Sequence, residues 1–198
     1  ALATTYHPEQ VDQPCPVWSA NCKGQKKFQD GSRYVGFFKF GKPHGEGIMI
    51  WEDGSQYIGS FKNGERHGQG KYTFPDGNVY EGEWTQGQME GEGVYTWACG
   101  HEYIGEFQQG KMEGEGAILM ANGESYSGAW KAGLADGYGQ FQRIDGSQFF
   151  GQCRKGIKDG EGTIVFPTGD TLMGNWAAGQ LDGNVIFQFK DGGQMTSS

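Results

Sequence analysis

Long hydrophobic runs are missing from this sequence, and so are the short motifs that mark most enzymes. The longest apolar stretches, such as residues 117–121, are far shorter than the roughly 20 residues that cross a bilayer. The chain contains no G-x-S-x-G, no H-E-x-x-H and no phosphate-binding Walker loop. Carboxylates are plentiful, but the sequence context singles out no pair of them for catalysis. We therefore expect a protein that is not an enzyme and that needs no cofactor.

Cysteine is scarce, which limits both disulfide and metal chemistry. Cys15 and Cys22 are close enough in sequence to pair, whereas Cys99 and Cys153 each stand alone. No C-x-x-C motif is present, so a structural zinc cluster is not expected. We predict no metal site.

Positive charge is in deficit. The chain has 16 Lys and Arg against 24 Asp and Glu, a formal net charge of −8. The imbalance lies in residues 80–198, which carry seven Lys and Arg against sixteen Asp and Glu. Nucleic-acid binding needs clustered cations, so we do not expect nucleic acid as a partner. The plain interpretation of the carboxylates is that they keep an open sheet soluble.

Glycine and aromatic residues are abundant instead, and they repeat. Glycine occurs 37 times, and residues 57–79 (YIGSFKNGERHGQGKYTFPDGNV) define a 23-residue unit. Seven copies run without a gap from Tyr34 to Gln194, and the last copy is atypical, with Leu172 and Val185 at positions that carry Tyr and Gly elsewhere. We therefore divide the chain into an extended N-terminal arm (1–22), an incomplete repeat (23–33), seven repeats (34–194) and a tail (195–198).

Each repeat alternates with period two, which predicts β-strands. Glycine and aromatic residues share one face, and mainly polar residues occupy the other. An antiparallel hairpin closed by the loop KNGERH pairs three positions of the second copy: Tyr57 with Tyr72, Gly59 with Gly70, and Phe61 with Gly68. A three-residue connection to the next copy then pairs Phe74 with Tyr80 and keeps the faces aligned.

Glycine in a strand leaves a hollow that a neighbouring ring can cover. We expect Tyr72, Tyr95 and Phe141 to lie over the glycines beside them and to join the hairpins into a continuous apolar seam. The predicted fold is all-β. It is an elongated, single-layer antiparallel sheet of stacked 23-residue β-hairpins, forming a twisted rod or trough on the order of 70 Å long.

The pattern Y-x-G-x-[FW]-x-x-G-x-x-x-G-x-G resembles the MORN (membrane occupation and recognition nexus) repeat. It appears as YIGSFKNGERHGQG from Tyr57, YEGEWTQGQMEGEG from Tyr80 and YIGEFQQGKMEGEG from Tyr103. The resemblance implies an elongated single-layer array of β-hairpins that acts as a scaffold or protein-binding module in cytoskeletal, ciliary and junctional structures. Phosphoinositide or phosphatidic acid binding is attached to some members. The chain departs from the pattern where His44 and His67 give way to Glu or Asp in later copies.

The glycine–aromatic face is the predicted binding site for a protein partner. We expect a groove that holds a helix or an extended segment, because exposed aromatic surface anchors interfaces. The predicted lining residues are Tyr57, Tyr72, Tyr80, Trp84, Tyr95, Tyr103, Tyr126, Trp130 and Phe141. Exposed end strands would also allow a homodimer or a larger assembly.

Two other functions stay open. One is a peripheral membrane adaptor that binds anionic phospholipid through the basic N-terminal repeats, with Lys39, Lys42, Lys62 and Arg66 as candidate phosphate ligands. The other is a structural accessory subunit of a large organellar or cytoskeletal complex. The expected location is cytoplasmic, with cytoskeletal or membrane association. Because the chain begins without methionine, an organelle reached after removal of a targeting segment stays open as well.

Overall fold

The computed structural model describes residues 15–197, which form two compact units, one up to Met89 and one from Glu90. The first unit holds β1 (Cys22–Lys27), β2 (Arg33–Lys39), β3 (Lys42–Ile50), β4 (Gln56–Lys62), β5 (Glu65–Thr73) and β6 (Val79–Thr85). Strand β7 (Gln88–Thr96) begins in the first unit and continues in the second. The second unit then holds β8 (Glu102–Gln108), β9 (Lys111–Leu119), β10 (Ser125–Lys131), β11 (Leu134–Gln142), β12 (Gln148–Arg154), β13 (Ile157–Val165), β14 (Thr171–Ala177), β15 (Gln180–Gln188) and β16 (Gln194–Ser197). Among the described residues there is no helix that is long and apolar enough to cross a bilayer.

Within each unit, strands that follow one another in the chain pair antiparallel. In the second repeat Tyr57 pairs with Tyr72 and Gly59 pairs with Gly70, as predicted. The same register recurs in the fourth repeat, where Tyr103 pairs with Ile118. The prediction of an all-β, single-layer antiparallel sheet built from consecutive hairpins is therefore confirmed.

The turn inside each hairpin is tighter than the predicted KNGERH loop. Lys62 pairs with Glu65, so only Asn63 and Gly64 form the turn, and both have positive φ (55° and 97°). Two consecutive positive φ values are typical of the type I′ turn, whose twist matches that of the strands. Phe61 consequently pairs with Arg66 and not with Gly68. Residues 67–69 of β5 then lie opposite the single residue Ser60 of β4 and form a bulge.

The connection between hairpins also differs from the predicted pairing of Phe74 with Tyr80. Tyr80 pairs with Tyr72, and the Phe74 amide instead donates a hydrogen bond to the Asn78 carbonyl at 2.9 Å. The carboxylate of Asp76 accepts the Asn78 amide at 3.1 Å and holds this longer loop closed. Because the register is displaced by an even number of residues, the faces stay aligned as expected.

Tyrosines packed over paired glycines form one part of the core of each unit, beside buried Phe and Trp side chains. A Cβ built on Gly70 would lie 2.5 Å from Cε2 of Tyr57, because the Tyr57 ring covers both Gly59 and Gly70. The leading tyrosine of a repeat therefore covers the glycines, and not Tyr72 or its equivalents Tyr95 and Phe141 as predicted. The leading ring leans along its strand onto the glycine pair, which a period-two pattern does not specify.

The two ends of the described chain are tied to the sheet. Cys15 and Cys22 form a disulfide, and the Phe40 amide donates a hydrogen bond to the Ser19 carbonyl at 2.8 Å. The rest of the predicted arm, residues 1–14, lies outside the described residues. At the other end, residues of the predicted tail belong to β16, which pairs with β15.

The opposite face of the sheet is less polar than predicted. Ile58 (46% exposed) and Phe37 (45%) lie on it in the first unit, and Ile104 (53%) and Leu119 (53%) lie on it in the second. These side chains alternate with polar ones such as Glu106, so the apolar surface is divided into small areas.

Candidate functional site

Aromatic side chains on one sheet face, here called the aromatic face, contact one another in a regular order. Counted from its leading residue, which is Tyr in the first five repeats, each repeat places its first, third and fifth residues on this face. In the second repeat, Phe61 at the fifth position meets Tyr57 of its own repeat and Tyr34 of the preceding repeat edge-on, each at a centroid distance of 5.0 Å. Trp84 and Trp130 repeat this arrangement. Each such contact stabilises the fold by about 0.5–1.5 kcal/mol beyond burial alone.

The structure places the nine predicted groove residues at two depths. Six belong to the buried ring ladder, with at most 8% of their surface exposed: Tyr57, Tyr80, Trp84, Tyr103, Tyr126 and Trp130. Three are half-buried on the same face: Tyr72, Tyr95 and Phe141. The second set keeps part of its ring surface exposed, while the first set forms the floor beneath it.

The polar atoms of the buried rings are satisfied inside the sheet. The Tyr57 hydroxyl donates a hydrogen bond to the Ser60 carbonyl at 3.0 Å, and Trp84 Nε1 donates one to the Gly70 carbonyl at 3.0 Å. Burial raises the pKa of Tyr57 above its usual range and the pKa of Tyr126 to about 12. These hydroxyls therefore stay protonated at neutral pH and act as structural donors.

An open groove of about 650 Å³ lies on the aromatic face of the first unit. Trp51 and Phe61 line its apolar part, and Lys42 and Arg66 bring positive charge to it. The Arg66 guanidinium is half-buried, with its Cζ atom 4.3 Å from the Trp84 ring centroid, and it donates a hydrogen bond to a backbone carbonyl at 2.7 Å. Burial lowers the pKa of Arg66, but a guanidinium remains charged at neutral pH.

The four predicted phosphate ligands occupy different environments. Lys39, Lys42 and Lys62 are exposed at the ends of hairpins. Arg66 is packed among aromatic rings, where it contributes cation–π contacts. An anionic headgroup approaching the first unit would therefore meet the three lysines before it met Arg66.

A second open groove, of about 390 Å³, lies on the aromatic face of the second unit. It is found where the sixth repeat has Cys153 at the fifth position, which holds Phe or Trp in the other repeats. Trp130 and the half-buried Phe141 line it, and Arg143 and Lys158 add two cations. The cysteine is visible in the sequence as a departure from the repeat. The two cations were missed, because only the pairing of β11 with β12 and of β12 with β13 brings them beside it.

Comparison with protein families identifies the repeat. The family model described as "MORN repeat" matches seven consecutive segments, residues 34–56, 57–79, 80–101, 103–125, 126–148, 149–171 and 173–194. The chain belongs to the MORN repeat family. The resemblance inferred from the YxGxF pattern is thereby confirmed. No curated protein matches the chain.

Two solved structures resemble this MORN repeat chain in fold. The SAS-4 (dCPAP) TCP domain of Drosophila melanogaster, in complex with a proline-rich motif of Ana2 (dSTIL), is 12% identical. The structural match covers 97% of this chain and 98% of the Drosophila domain, with a TM-score of 0.53. The wild-type TCP10 domain of Danio rerio CPAP, in complex with a peptide of Danio rerio STIL, is 16% identical. The structural match covers 89% of this chain and 75% of the Danio rerio domain, with a TM-score of 0.53. At these identities the likeness shows the fold alone.

The geometry of the MORN repeats also explains why acids replace histidine in later copies. His44 Nδ1 accepts a hydrogen bond from the Asn63 amide at 3.4 Å, and the Glu113 carboxylate accepts one from the Ala132 amide at 2.7 Å. Both donors are the first residue of a type I′ turn in the following repeat. Histidine and carboxylate thus perform the same structural task. No group of three or more His, Cys, Asp and Glu within residues 15–197 could hold a metal ion.

Proposed function

We propose that this protein is a non-catalytic repeat scaffold that holds a helix or an extended segment of another protein along its aromatic face. The observation that carries the proposal is the open aromatic face itself. Each unit has a groove on this face, and half-buried rings stand above a floor of buried ones. Within each unit the described strands form a single layer, so no second layer of that unit covers these rings.

Half-buried aromatic side chains on a fixed floor are well suited to anchor a partner. A ring that is already held in place by its neighbours loses little conformational entropy on binding, and each buried ring contributes a large apolar area. The backbone of Phe141 is fixed in this way, because its strand, β11, pairs on both sides and places Phe141 opposite Tyr126 and Phe149. The two structural neighbours hold a proline-rich motif and a peptide, which supports a peptide-binding role for a sheet of this kind.

Site-specific photo-crosslinking tests the proposal. A benzophenone amino acid replaces Phe141 on the aromatic face in one variant and Gln142 on the opposite face in a matched control. Both variants are irradiated in a lysate of the cells that express the chain natively. We expect a protein adduct at 141 that mass spectrometry maps to one short segment of the partner, and at least about a tenfold lower yield from 142. A tenfold ratio corresponds to about 1.4 kcal/mol of preference for one face.

Two results of this experiment would reject the scaffold. Equal adduct yields from the two faces would mean that the aromatic face has no preference for a partner. Adducts with lipid rather than protein would favour the membrane alternative, in which the exposed Lys39, Lys42 and Lys62 contact anionic headgroups. A role as an accessory subunit of a large complex, and self-association through end strands, are compatible with the scaffold and remain separate proposals.

A further inference from the structure

The ring ladder on the aromatic face is interrupted in the sixth repeat. In each of the first five repeats the fifth-position ring contacts the leading ring of its own repeat, as Trp130 contacts Tyr126 at 5.4 Å. The leading ring of the sixth repeat, Phe149, contacts Trp176 of the next repeat at 5.2 Å, and no ring of its own repeat. Cys153 occupies the place of the missing ring. One side each of Tyr126 and Phe149 therefore lacks the edge-to-face partner that the repeat normally supplies.

The groove of the second unit coincides with this missing ring. Tyr126, Trp130, Phe149 and Cys153 all line it, together with the half-buried Phe141. Its volume of about 390 Å³ compares with the roughly 150 Å³ of an apolar cavity that admits benzene. A phenyl or indole side chain entering from another molecule would thus have room to take the place of the absent fifth-position ring.

Two cations stand beside the gap, and neither forms an ion pair in the part of the chain that the structure describes. The Lys158 Nζ atom lies 4.3 Å from the Phe149 ring centroid, and Arg143 also lines the groove. The ion pairs found in the described residues, Lys71 with Glu81 and Arg154 with Asp159, include neither of them. Burial lowers the pKa of Lys158, and the charge of Arg143 lowers it further. Two carboxylates act electrostatically nearby, Asp145 on Arg143 and Asp136 on Cys153. Since neither forms an ion pair with Arg143 or Lys158, the two adjacent cations favour an anionic ligand.

We propose that the gap at Cys153 receives an aromatic side chain of the bound protein segment, and that an Asp or Glu next to it in that segment pairs with Arg143 and Lys158. This inference rests on the proposed scaffold function and gives it a recognition rule. The ring restores edge-to-face contacts to Tyr126 and Phe149. The carboxylate forms the ion pairs that Arg143 and Lys158 do not make within the described residues.

The cysteine itself forms the floor of the gap and reacts with nothing in this scheme. Burial raises the pKa of the Cys153 thiol, so it stays protonated and poorly nucleophilic at neutral pH. Its importance is its small size. The same position holds Phe61 in the second repeat and Trp84 in the third, each within a strand of the same length.

Restoring the ring provides the test. Cys153→Phe gives the sixth repeat the fifth-position residue of the first, second and fourth repeats, so the variant is expected to fold, and its ring occupies the gap. Random dodecapeptides displayed on phage are selected on the wild-type protein, and the affinities of the selected peptides are measured by fluorescence anisotropy. We expect them to share an aromatic residue within two positions of Asp or Glu. Affinity should fall at least about tenfold for Cys153→Phe, since burying a ring contributes roughly 1.5–3 kcal/mol and 1.4 kcal/mol is tenfold.

A charge variant tests the second half of the rule. Arg143 is exposed, so Arg143→Gln should leave the fold intact. A second peptide carries Gln in place of the acidic residue of the selected parent peptide. The wild-type protein should bind this peptide several-fold more weakly than it binds the parent. The Arg143→Gln protein should bind the two peptides with nearly equal affinity. Selected peptides without an acidic residue, or with the same affinity for Cys153→Phe, would overturn the inference. If those peptides still crosslink at position 141, the scaffold survives and only the aromatic-acidic rule is lost. Failure to select any peptide would reject both.

Discussion

The contact between Tyr103 and Gly116 yields a prediction that tests how the sheet is held together. Gly116 pairs with Gly105 on one side and Gly128 on the other, and it has no positive φ, so its backbone does not require glycine. A Cβ built there would nevertheless lie 2.6 Å from both Cε2 and Cζ of Tyr103. An alanine at position 116 and the native Tyr103 ring therefore cannot occupy the sheet together.

The size of the effect follows from what Tyr103 would lose. The side chain is 0% exposed, and a buried tyrosine removes roughly 150–250 Å² from water, which is an upper limit of about 4–6 kcal/mol at roughly 25 cal/mol per Å². Its hydroxyl also donates a hydrogen bond to the Glu106 carbonyl at 3.1 Å, a contribution of about 1 kcal/mol. Because the displaced ring keeps part of its contacts, we expect Gly116→Ala to lower the free energy of unfolding by about 3–5 kcal/mol.

Urea unfolding followed by tryptophan fluorescence would measure this loss, and the chain supplies its own control. In the seventh repeat Leu172 stands at the position of Tyr103, and Val185 stands at the position of Gly116. A side chain smaller than Tyr at the first position thus occurs together with one larger than Gly at the second. Tyr103→Leu combined with Gly116→Val copies that pair. The double variant should lose at least about 1 kcal/mol less free energy of unfolding than the two single variants lose in sum. A loss below about 1 kcal/mol for Gly116→Ala, or strictly additive effects in the double variant, would refute the idea that the ring reserves this space.

Two further predictions concern the turns. Ala132 holds the first place of a type I′ turn with φ 51°, where the second repeat has Asn63, so Ala132→Asn should raise the free energy of unfolding by about 0.5–1 kcal/mol and Asn63→Ala should lower it similarly. Urea midpoints of both variants check this, and a destabilised Ala132→Asn would contradict it. Ser147 donates its hydroxyl (2.6 Å) and its amide (2.8 Å) to Asp145 Oδ1, which lowers the pKa of that carboxyl below 3.8. The resulting stabilisation is complete above pH 3.8 and is lost as the pH falls through the lowered folded-state pKa. Ser147→Ala should therefore raise the pKa of Asp145 in an NMR titration, with Asp53 as the unaffected internal reference.

Local patterns in the sequence predicted the strands and the face that each residue occupies. Period-two alternation gave the register of Tyr57 with Tyr72 and of Gly59 with Gly70. The hairpin turn was predicted less well, although Asn63-Gly64 is a strong type I′ signal. Treating KNGERH as one loop overlooked that signal. A bulge next to a tight turn shifts the register while it preserves the faces, so alternation alone cannot distinguish the two arrangements.

The candidate site was predicted at the level of a face and not at the level of single rings. Tyr80 and Tyr72 both belong to the aromatic face, but the leading Tyr80 is buried and Tyr72 keeps exposed surface. The difference arises because a leading tyrosine leans onto a glycine pair from two strands, and the depth of a ring depends on that lateral contact. The alternation of residues along one strand carries no information about it.

By itself, the sequence determined the repeat, its strands and the family to which it belongs, because each depends on short patterns within 23 residues. Only the tertiary structure decided which rings form the floor, how Cys153 opens a groove, and which cations stand beside that groove. Those features depend on side chains from several paired strands meeting in space, and the identity of each neighbour is fixed by strand register rather than by any local pattern.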